Sequence, residues 1–213
     1  MLKIGVLVSG GGTNLQAIID RIEDGYLDEC RIVTVVSNKE GAYALERAAK
    51  HHIPSSYFSK KDKSADEYDE MLMSHLESCG VDLVVLAGFM HILGPKFIKR
   101  FDGRIINVHP SLIPAFCGKG FYGLIPHQKA LEYGVKITGA TVHFVEANAD
   151  AGPIILQKAV TVMEEDTPET LQKRVMEEAE WKLLPEAIRL ISKNKIILEG
   201  RRVRILQNGG EGF

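Results

Sequence analysis

A mostly apolar run at the start of the chain ends directly in three glycines. Residues 2–9 have the composition typical of a strand buried on both faces of a parallel sheet. Gly10-Gly11-Gly12 then allows a sharp turn, and Asn14–Glu23 carries leucine and isoleucine at helical spacing. A buried strand, a glycine turn and an amphipathic helix together predict a protein of the α/β class.

The same alternation continues through the first hundred residues. Further strands are predicted at Arg31–Ser37, Ser55–Phe58 and Leu83–Leu86, and further helices at Ala42–His51 and Ala65–Ser78. Because parallel strands require crossover connections, this βαβαβαβ order predicts a parallel, doubly wound sheet with right-handed crossovers.

The second half of the chain has a different pattern. We predict three strands joined by long loops, one long helix and a terminal hairpin, at Arg104–His109, Thr138–Val145, Ile154–Val160, about Pro168 to Ser192, Ile196–Leu198 and Val203–Leu206. No repeat or low-complexity linker separates the halves. We therefore expect one α/β domain over residues 1–213, in which a mostly parallel half (residues 1–100) continues into a mixed half (residues 101–213).

Composition narrows the class of function. A chain of 213 residues with 45% hydrophobic residues can bury one sizeable core, and its net charge of −2 provides no general attraction to nucleic acid or acidic membranes. Three scattered cysteines suggest neither a disulfide framework nor a zinc site, and no group of His or Asp residues has the spacing of metal ligands. No apolar run approaches the length of a membrane span, so we expect a cytoplasmic protein.

An amide and an imidazole lie two residues apart at the end of a predicted strand. Period-two spacing places the side chains of Asn107 and His109 on one face, and Pro110 and Pro114 end the regular structure. Such a pair is usually only a hydrogen-bonded strand end. With a separate carboxylate, such as Asp150, it also has the parts needed to stabilise an oxyanion and move a proton.

The glycine turn has two readings. Thr13 and Gln16 form a capping-box pattern, so the turn can be purely structural. Exposed amides at a helix N-terminus also favour an anion. No Gly-Lys-Ser/Thr follows, and Leu15 occupies the place of the third glycine in a dinucleotide fingerprint. A small phosphorylated substrate therefore fits better than a nucleoside triphosphate or a nicotinamide cofactor.

Five stretches of sequence together carry a family resemblance. Asn107-Val-His-Pro-Ser-Leu-Ile-Pro114, Asp150-Ala-Gly-Pro153, the glycine turn, and the stretches 82–93 and 138–157 resemble the formyltransferase family that uses 10-formyltetrahydrofolate. The resemblance covers nearly the full chain. It implies transfer of a formyl group from this folate co-substrate to the amine of 5-phosphoribosylglycinamide in de novo purine biosynthesis, through a tetrahedral intermediate.

The resemblance also implies roles for parts of the chain: residues 1–100 would form a Rossmann-like half that binds phosphate, and residues 101–213 a catalytic and folate-binding half. Asn107 and His109 would stabilise the intermediate, and Asp150 would raise the pKa of His109. The substrate-binding residues it implies are Gly12, Thr13, Asn14 and Glu180. The folate-binding residues it implies are Met90, His91, Ile92, Leu93, Asn107, Glu146, Ala147, Asn148 and Asp150. Without the resemblance, residues 83–93 would be read as core and Glu180 as a solvated helix charge.

The chain departs from the family pattern at three places. His91 and Ala65 stand where arginines often lie in relatives, and Lys61 or Lys63 could supply the missing charge. The loop Ala115–Pro126 is long and rich in glycine, and we expect it to fold over the cleft as a lid.

Two alternatives to this function remain. One is a formyltetrahydrofolate hydrolase, which would usually carry an N-terminal regulatory domain, and the other is a non-catalytic folate- or phosphosugar-binding module. A methionyl-tRNA formyltransferase would carry a further C-terminal nucleic-acid-binding domain and a basic surface, which the net charge of −2 does not favour. The expected partners are small-molecule substrates, with no nucleic acid and no membrane, and the expected state is a monomer or homodimer.

Overall fold

A continuous mixed sheet of nine strands runs through residues 1–206, the part of the chain that the computed structural model describes. In chain order the strands are β1 (Leu2–Val8), β2 (Cys30–Ser37), β3 (Ser55–Tyr57), β4 (Leu83–Leu86), β5 (Ile105–His109), β6 (Ile137–Phe144), β7 (Ile154–Thr161), β8 (Ile196–Glu199) and β9 (Arg202–Ile205). The α-helices are α1 (Thr13–Glu23), α2 (Tyr43–Lys50), α3 (Ala65–Ser78), α4 (Pro95–Arg100), α5 (Ile125–Tyr133), α6 (Pro168–Val175) and α7 (Trp181–Ser192).

The strand order is β3-β2-β1-β4-β5-β6-β7-β9-β8. The first five strands in this order are parallel, whereas β6 pairs antiparallel with β5 and with β7. The predicted doubly wound, mostly parallel sheet with a mixed second half is confirmed. The chain order reverses between β1 and β4, so the carboxyl ends of β1, β4 and β5 lie side by side, where open α/β sheets bind ligands.

Helices cover both faces of the sheet. Along β1, Ile4, Val6 and Val8 pack into one cluster with residues of α1, α2 and α7. Leu7 faces the opposite way, into a second cluster with α3 and α4. The apolar character of β1 on both faces follows from this position in the middle of two layers of helix.

Two short helices and a helix irregularity differ from the sequence predictions. α4 lies in a stretch for which no element was predicted, and α5 lies where a long loop was expected; each has a proline in its first turn, which suits a helix start. The predicted long helix spans the expected 25 residues from Pro168 to Ser192, but Met176–Glu180 is a π-helical segment between α6 and α7.

The sheet crosses the expected boundary near residue 100 without a break, because β4 pairs with β5 in register Leu86 to Asn107. Separate roles for the two halves stay a prediction, and the predicted domain end at residue 213 lies outside the described residues. No helix within residues 1–206 combines the length and apolar character needed to cross a bilayer.

Replacement of Gly139 in β6 by alanine is expected to destabilise the fold. A Cβ at this position would lie 2.0 Å from the Lys158 carbonyl oxygen and 2.9 Å from the Leu112 side chain. We expect a loss of about 1–3 kcal/mol in the free energy of unfolding, typical of overpacking, measured by urea denaturation. Lys136→Ala, at an exposed side chain just before the same strand, is the control; equal stability of G139A and K136A would contradict the prediction.

Candidate active site

The end of β5 presents Asn107 and His109 as predicted. Antiparallel pairing places His143 of β6 directly opposite Asn107. The Nδ1 of His143 donates to the Phe144 carbonyl at 2.7 Å, and its Nε2 lies 3.2 Å from the Asn107 Nδ2. This cross-strand bond fixes the side-chain amide of Asn107 with its nitrogen toward the site.

Asp150 joins this pair from the loop after β6. Its Oδ2 lies 3.4 Å from the Nδ1 of His109 and accepts the backbone N–H of Gly118 at 2.8 Å. Its Oδ1 lies 3.5 Å from the Asn107 Nδ2, at the long limit of a hydrogen bond. The structure thus brings together the three predicted catalytic side chains, which are separated by up to 43 positions in the sequence.

The backbone around Asp150 is tightly constrained. Asp150 adopts a positive φ of 53°, a conformation that aspartate tolerates better than most residues. Two residues later, a Cβ on Gly152 would lie 1.8 Å from the Phe144 carbonyl oxygen, so only glycine fits there. Close packing against the end of β6 therefore sets the direction of the Asp150 side chain.

Burial dominates the protonation of His109. It lowers the pKa of the imidazole below its ordinary value, although Asp150 and the Phe116 carbonyl, 2.9 Å from Nε2, act to raise it. The predicted effect of Asp150 therefore has the expected direction but is outweighed. Both ring nitrogens face acceptors, so a proton added to His109 would meet a partner on each side.

Asp150 is held in its charged form. Burial acts to raise its pKa, but the imidazoles of His143 and His109 and the amide of Gly118 outweigh that effect, and the net pKa lies below the ordinary value. A carboxylate that stays ionised beside a titratable imidazole is suited to stabilise a transient positive charge there.

The glycine turn leads into α1 without a side-chain cap. Gly12 is the N-cap residue with φ 71°, so the predicted Thr13–Gln16 capping box is wrong. A Cβ on Gly12 would lie 2.6 Å from the Ala44 Cβ, which explains the glycine. Since no side chain caps the first turn, its backbone amides remain suited to an anion.

Asn14 and Glu180 form a buried polar pair beside this turn. The Asn14 Nδ2 donates to the Glu180 Oε2 at 2.7 Å, and Glu180 is only 6% exposed. Burial raises the pKa of Glu180 to about 7, against the lowering effect of the Asn14 hydrogen bond. Glu180 ends the π-helical segment, and it is not the solvated helix charge of the alternative reading. The Asn14 Oδ1 is buried without a partner and can accept a hydrogen bond from a ligand.

A cleft of about 660 Å³ opens next to Asp150. Eight of the nine predicted folate-binding residues line it, and Asn148 does not: the lining includes Met90, His91, Ile92, Leu93, Asn107, Glu146, Ala147 and Asp150. Met90 and Ile92 are 46% and 63% exposed, so apolar surface is available to a ligand. The predicted lid supplies another part of the lining, residues 118–122; its movement stays a prediction.

Three side chains near the site, those of Asp69, Lys60 and His127, were not identified from the sequence. The predicted folate-binding residue His91 is buried against Asp69, and the Lys60 ammonium contacts its ring. His127 on α5 is fully buried, with neither ring nitrogen hydrogen-bonded. Tertiary packing creates these contacts; α5 would have been detectable from its proline at the first turn.

Potential metal ligands do not cluster in this structure. Across residues 1–206, no group of three or more His, Cys, Asp or Glu side chains could hold a metal ion.

An amide donor, an imidazole and a carboxylate at the strand ends of an α/β sheet are the groups that an enzyme of group transfer through an oxyanion intermediate requires. Residues 2–188 match the family model described as formyl transferase, and the chain belongs to this family.

Known members resemble the chain over most of its length. The phosphoribosylglycinamide formyltransferase of Haemophilus influenzae is 42% identical over 200 residues, which cover 93% of this chain and 91% of that protein. The crystal structure of glycinamide ribonucleotide transformylase 1 from Symbiobacterium toebii superposes with a TM-score of 0.92 at 46% identity, covering 97% and 95% of the two chains. The trifunctional purine biosynthetic protein adenosine-3 of Chironomus tentans is 42% identical over 93% of this chain, which spans only 14% of that longer protein.

His127 is expected to remain neutral in mildly acidic solution. Burial, with a smaller effect of His109, lowers its pKa to about 4. An unfolded histidine titrates near 6.5. Between these two pH values the unfolded state binds the proton and the folded state does not, so this residue's contribution to stability declines as pH falls.

The measurement is an NMR titration of the histidine ring protons, with His127 assigned by a His127→Gln variant. We expect a midpoint near 4 and a smaller loss of stability between pH 7 and pH 5 in H127Q than in the wild type. A midpoint near 6.5 would contradict the assignment of a neutral, desolvated ring.

Proposed function

We propose that this protein transfers the formyl group of 10-formyltetrahydrofolate to the amine of 5-phosphoribosylglycinamide, a step of de novo purine biosynthesis. The observation that carries the proposal is the meeting of Asn107 and His109, at the end of β5, with Asp150 from the loop after β6, where Asn107 and Asp150 also line the cleft. The names of the Haemophilus and Symbiobacterium relatives support the same acceptor.

The glycine turn is proposed to bind the phosphate of the ribonucleotide. Gly12, Thr13 and Asn14 lie at the uncapped start of α1, where backbone amides and the helix dipole favour an anion. Behind them, Glu180 and the unpartnered Oδ1 of Asn14 offer acceptors for the substrate's amine or hydroxyl groups. These features would suit a substrate that carries both a phosphate and groups that donate hydrogen bonds.

The cleft is proposed to bind the folate. The segment Met90–Leu93 supplies apolar wall, and Glu146, Ala147 and Asp150 supply the loop on the other side. With the folate bound there, we propose that the formyl carbon lies near the Asn107 amide. For Asn148, which does not line the cleft, we propose no contact.

The reaction forms one C–N bond and breaks another. The lone pair of the substrate amine attacks the formyl carbon, and the carbonyl electrons move to its oxygen. The Asn107 Nδ2 is proposed to donate to this oxyanion, since its contact with Asp150 is long and easily replaced. Collapse of the intermediate breaks the bond to the folate nitrogen, which receives the proton that the amine releases.

His109 and Asp150 are proposed to manage this proton and the developing charge. A proton on the His109 Nδ1 would lie against the ionised Asp150, 3.4 Å away. The Nε2 faces the Phe116 carbonyl at 2.9 Å, so His109 is proposed to donate from Nε2 to the reacting centre in exchange for that partner. Burial lowers the pKa of the free imidazole, and an anionic partner such as the oxyanion would raise it.

The two halves of the chain are proposed to have different roles. Residues 1–100 would hold the phosphate and residues 101–213 the catalytic and folate-binding groups, with residues 90–93 of the first half also lining the cleft. We propose a cytoplasmic monomer or homodimer that acts on these small molecules.

The decisive experiment follows formyl loss from 10-formyltetrahydrofolate by the purified protein. We expect loss only when phosphoribosylglycinamide is present, with one formylated product for each formyl group lost. Equal loss without the ribonucleotide would identify a hydrolase. No loss in either case would identify a binding module and contradict the proposal.

Asn107→Ala is expected to lower kcat by roughly 10²–10³-fold, the typical cost of one lost oxyanion donor. The KM values for both substrates should change much less, because the contact forms mainly in the transition state. Steady-state kinetics with both substrates provide the test. Gln128→Ala, which removes an exposed amide on α5, is the control. Wild-type kcat in N107A would exclude the proposed role.

A further inference from the structure

The segment that forms the folate wall is held from behind by one carboxylate. Asp69 on α3 is 3% exposed, and its two oxygens contact different parts of the segment. Oδ1 lies 2.7 Å from the Nε2 of His91, and Oδ2 accepts the backbone N–H of Gly94 at 2.6 Å. A buried carboxylate with both oxygens engaged is costly to leave unpaired, so this contact restrains both ends of residues 91–94.

Lys60 completes the arrangement on the other side of the ring. Its Nζ lies 2.7 Å from the Nδ1 of His91. Because an ammonium group only donates, Nδ1 must carry the lone pair, and the ring proton must reside on Nε2 and be donated to Asp69. The neutral imidazole of His91 therefore lies between the negative carboxylate of Asp69 and the positive ammonium group of Lys60.

The packing around His91 leaves one orientation for the segment. The rings of Tyr68 and Phe89 meet the imidazole edge-on, with centroids 5.0 and 6.0 Å away. The preceding backbone N–H, of Met90, donates to the Ser9 Oγ at 2.7 Å. With its polar groups turned toward α3 and β1, the segment presents the side chains of Met90 and Ile92 to the cleft.

We infer that Asp69 is a positioning residue for the site that binds the formyl donor. It acts through His91 and Gly94 to hold Met90 and Ile92 in the cleft. The inference rests on the proposed function, because it takes the cleft to be the folate site. Asp69 does not itself line the cleft, and it lies behind the wall segment, apart from the proposed catalytic residues. Its loss should therefore weaken donor binding and leave the chemical step and the ribonucleotide site intact.

The test is the kinetics of Asp69→Asn, which keeps the shape but replaces one acceptor oxygen by an N–H₂ group. We expect the KM for 10-formyltetrahydrofolate to rise about tenfold, equivalent to about 1.4 kcal/mol, with kcat and the KM for phosphoribosylglycinamide within about twofold of wild type. Asp69→Glu should recover part of the donor affinity. Asp66→Asn, at an exposed carboxylate three residues earlier that pairs with Lys96, is the matched control. An unchanged donor KM in D69N, or equal loss in kcat, would overturn the inference.

A second measurement uses the wild-type protein and so does not depend on whether a variant folds. Nitrogen-15 NMR of the wild-type histidines should show His91 as the neutral tautomer with its proton on Nε2. A proton on Nδ1 would contradict the hydrogen bonds of His91 with Lys60 and Asp69 and would overturn the inference. Failure of the proposed function is distinguishable, because wild-type protein would then show no formyl loss that depends on the ribonucleotide, whatever the state of His91.

Discussion

The carboxylate of Asp150 is the contact on which the candidate site depends most. It meets the His109 imidazole from β5, the Gly118 amide from the following loop and, at longer range, His143 from β6. These groups come from three separate parts of the chain. A charge with partners on several sides holds two loops against a strand end without needing a large apolar contact. These contacts of Asp150 are electrostatic and local. They require the loop that carries Asp150 to lie close to the end of β6, which is possible because residue 152 is a glycine.

The sheet supplies the larger framework. Since β1, β4 and β5 are neighbours, the glycine turn, the folate wall and the Asn107–His109 pair all emerge at adjacent strand ends. Hydrogen bonds then join these segments to one another: the Ser9 hydroxyl, just past β1, accepts the Met90 amide just past β4 and donates to Asn38, just past β2. The geometry of the site is thus a property of strand order, refined by a few polar contacts.

Local patterns were sufficient for the parts of the fold that repeat. The apolar strands, the helices and the position of Asn107 at a strand end follow from periodicity and proline placement, and the family resemblance located Asp150 and Glu180. Contacts between distant elements leave no such pattern. The Asp69–His91 pair joins a helix to a loop 22 positions away, and the facing of His143 to Asn107 requires the antiparallel register. The capping box at Thr13 failed because a crowded contact with Ala44 puts Gly12, in a left-handed conformation, at the N-cap.

The π-helical segment Met176–Glu180 has a consequence for how the chain can vary in length. A π turn holds about one residue more than an α turn, and each residue of an α-helix rotates the side-chain direction by about 100°. The apolar side of α6, which includes Leu171, and that of α7, which includes Leu184, both face the sheet, and Glu180 is buried between them. Removal of one residue from the segment would therefore restore a regular helix and leave the apolar sides of α6 and α7 in register, whereas one residue removed from an α-helical turn on either side would rotate these sides apart by about 100°. A change of one residue in length should be more acceptable to the fold in this segment than elsewhere in the helix.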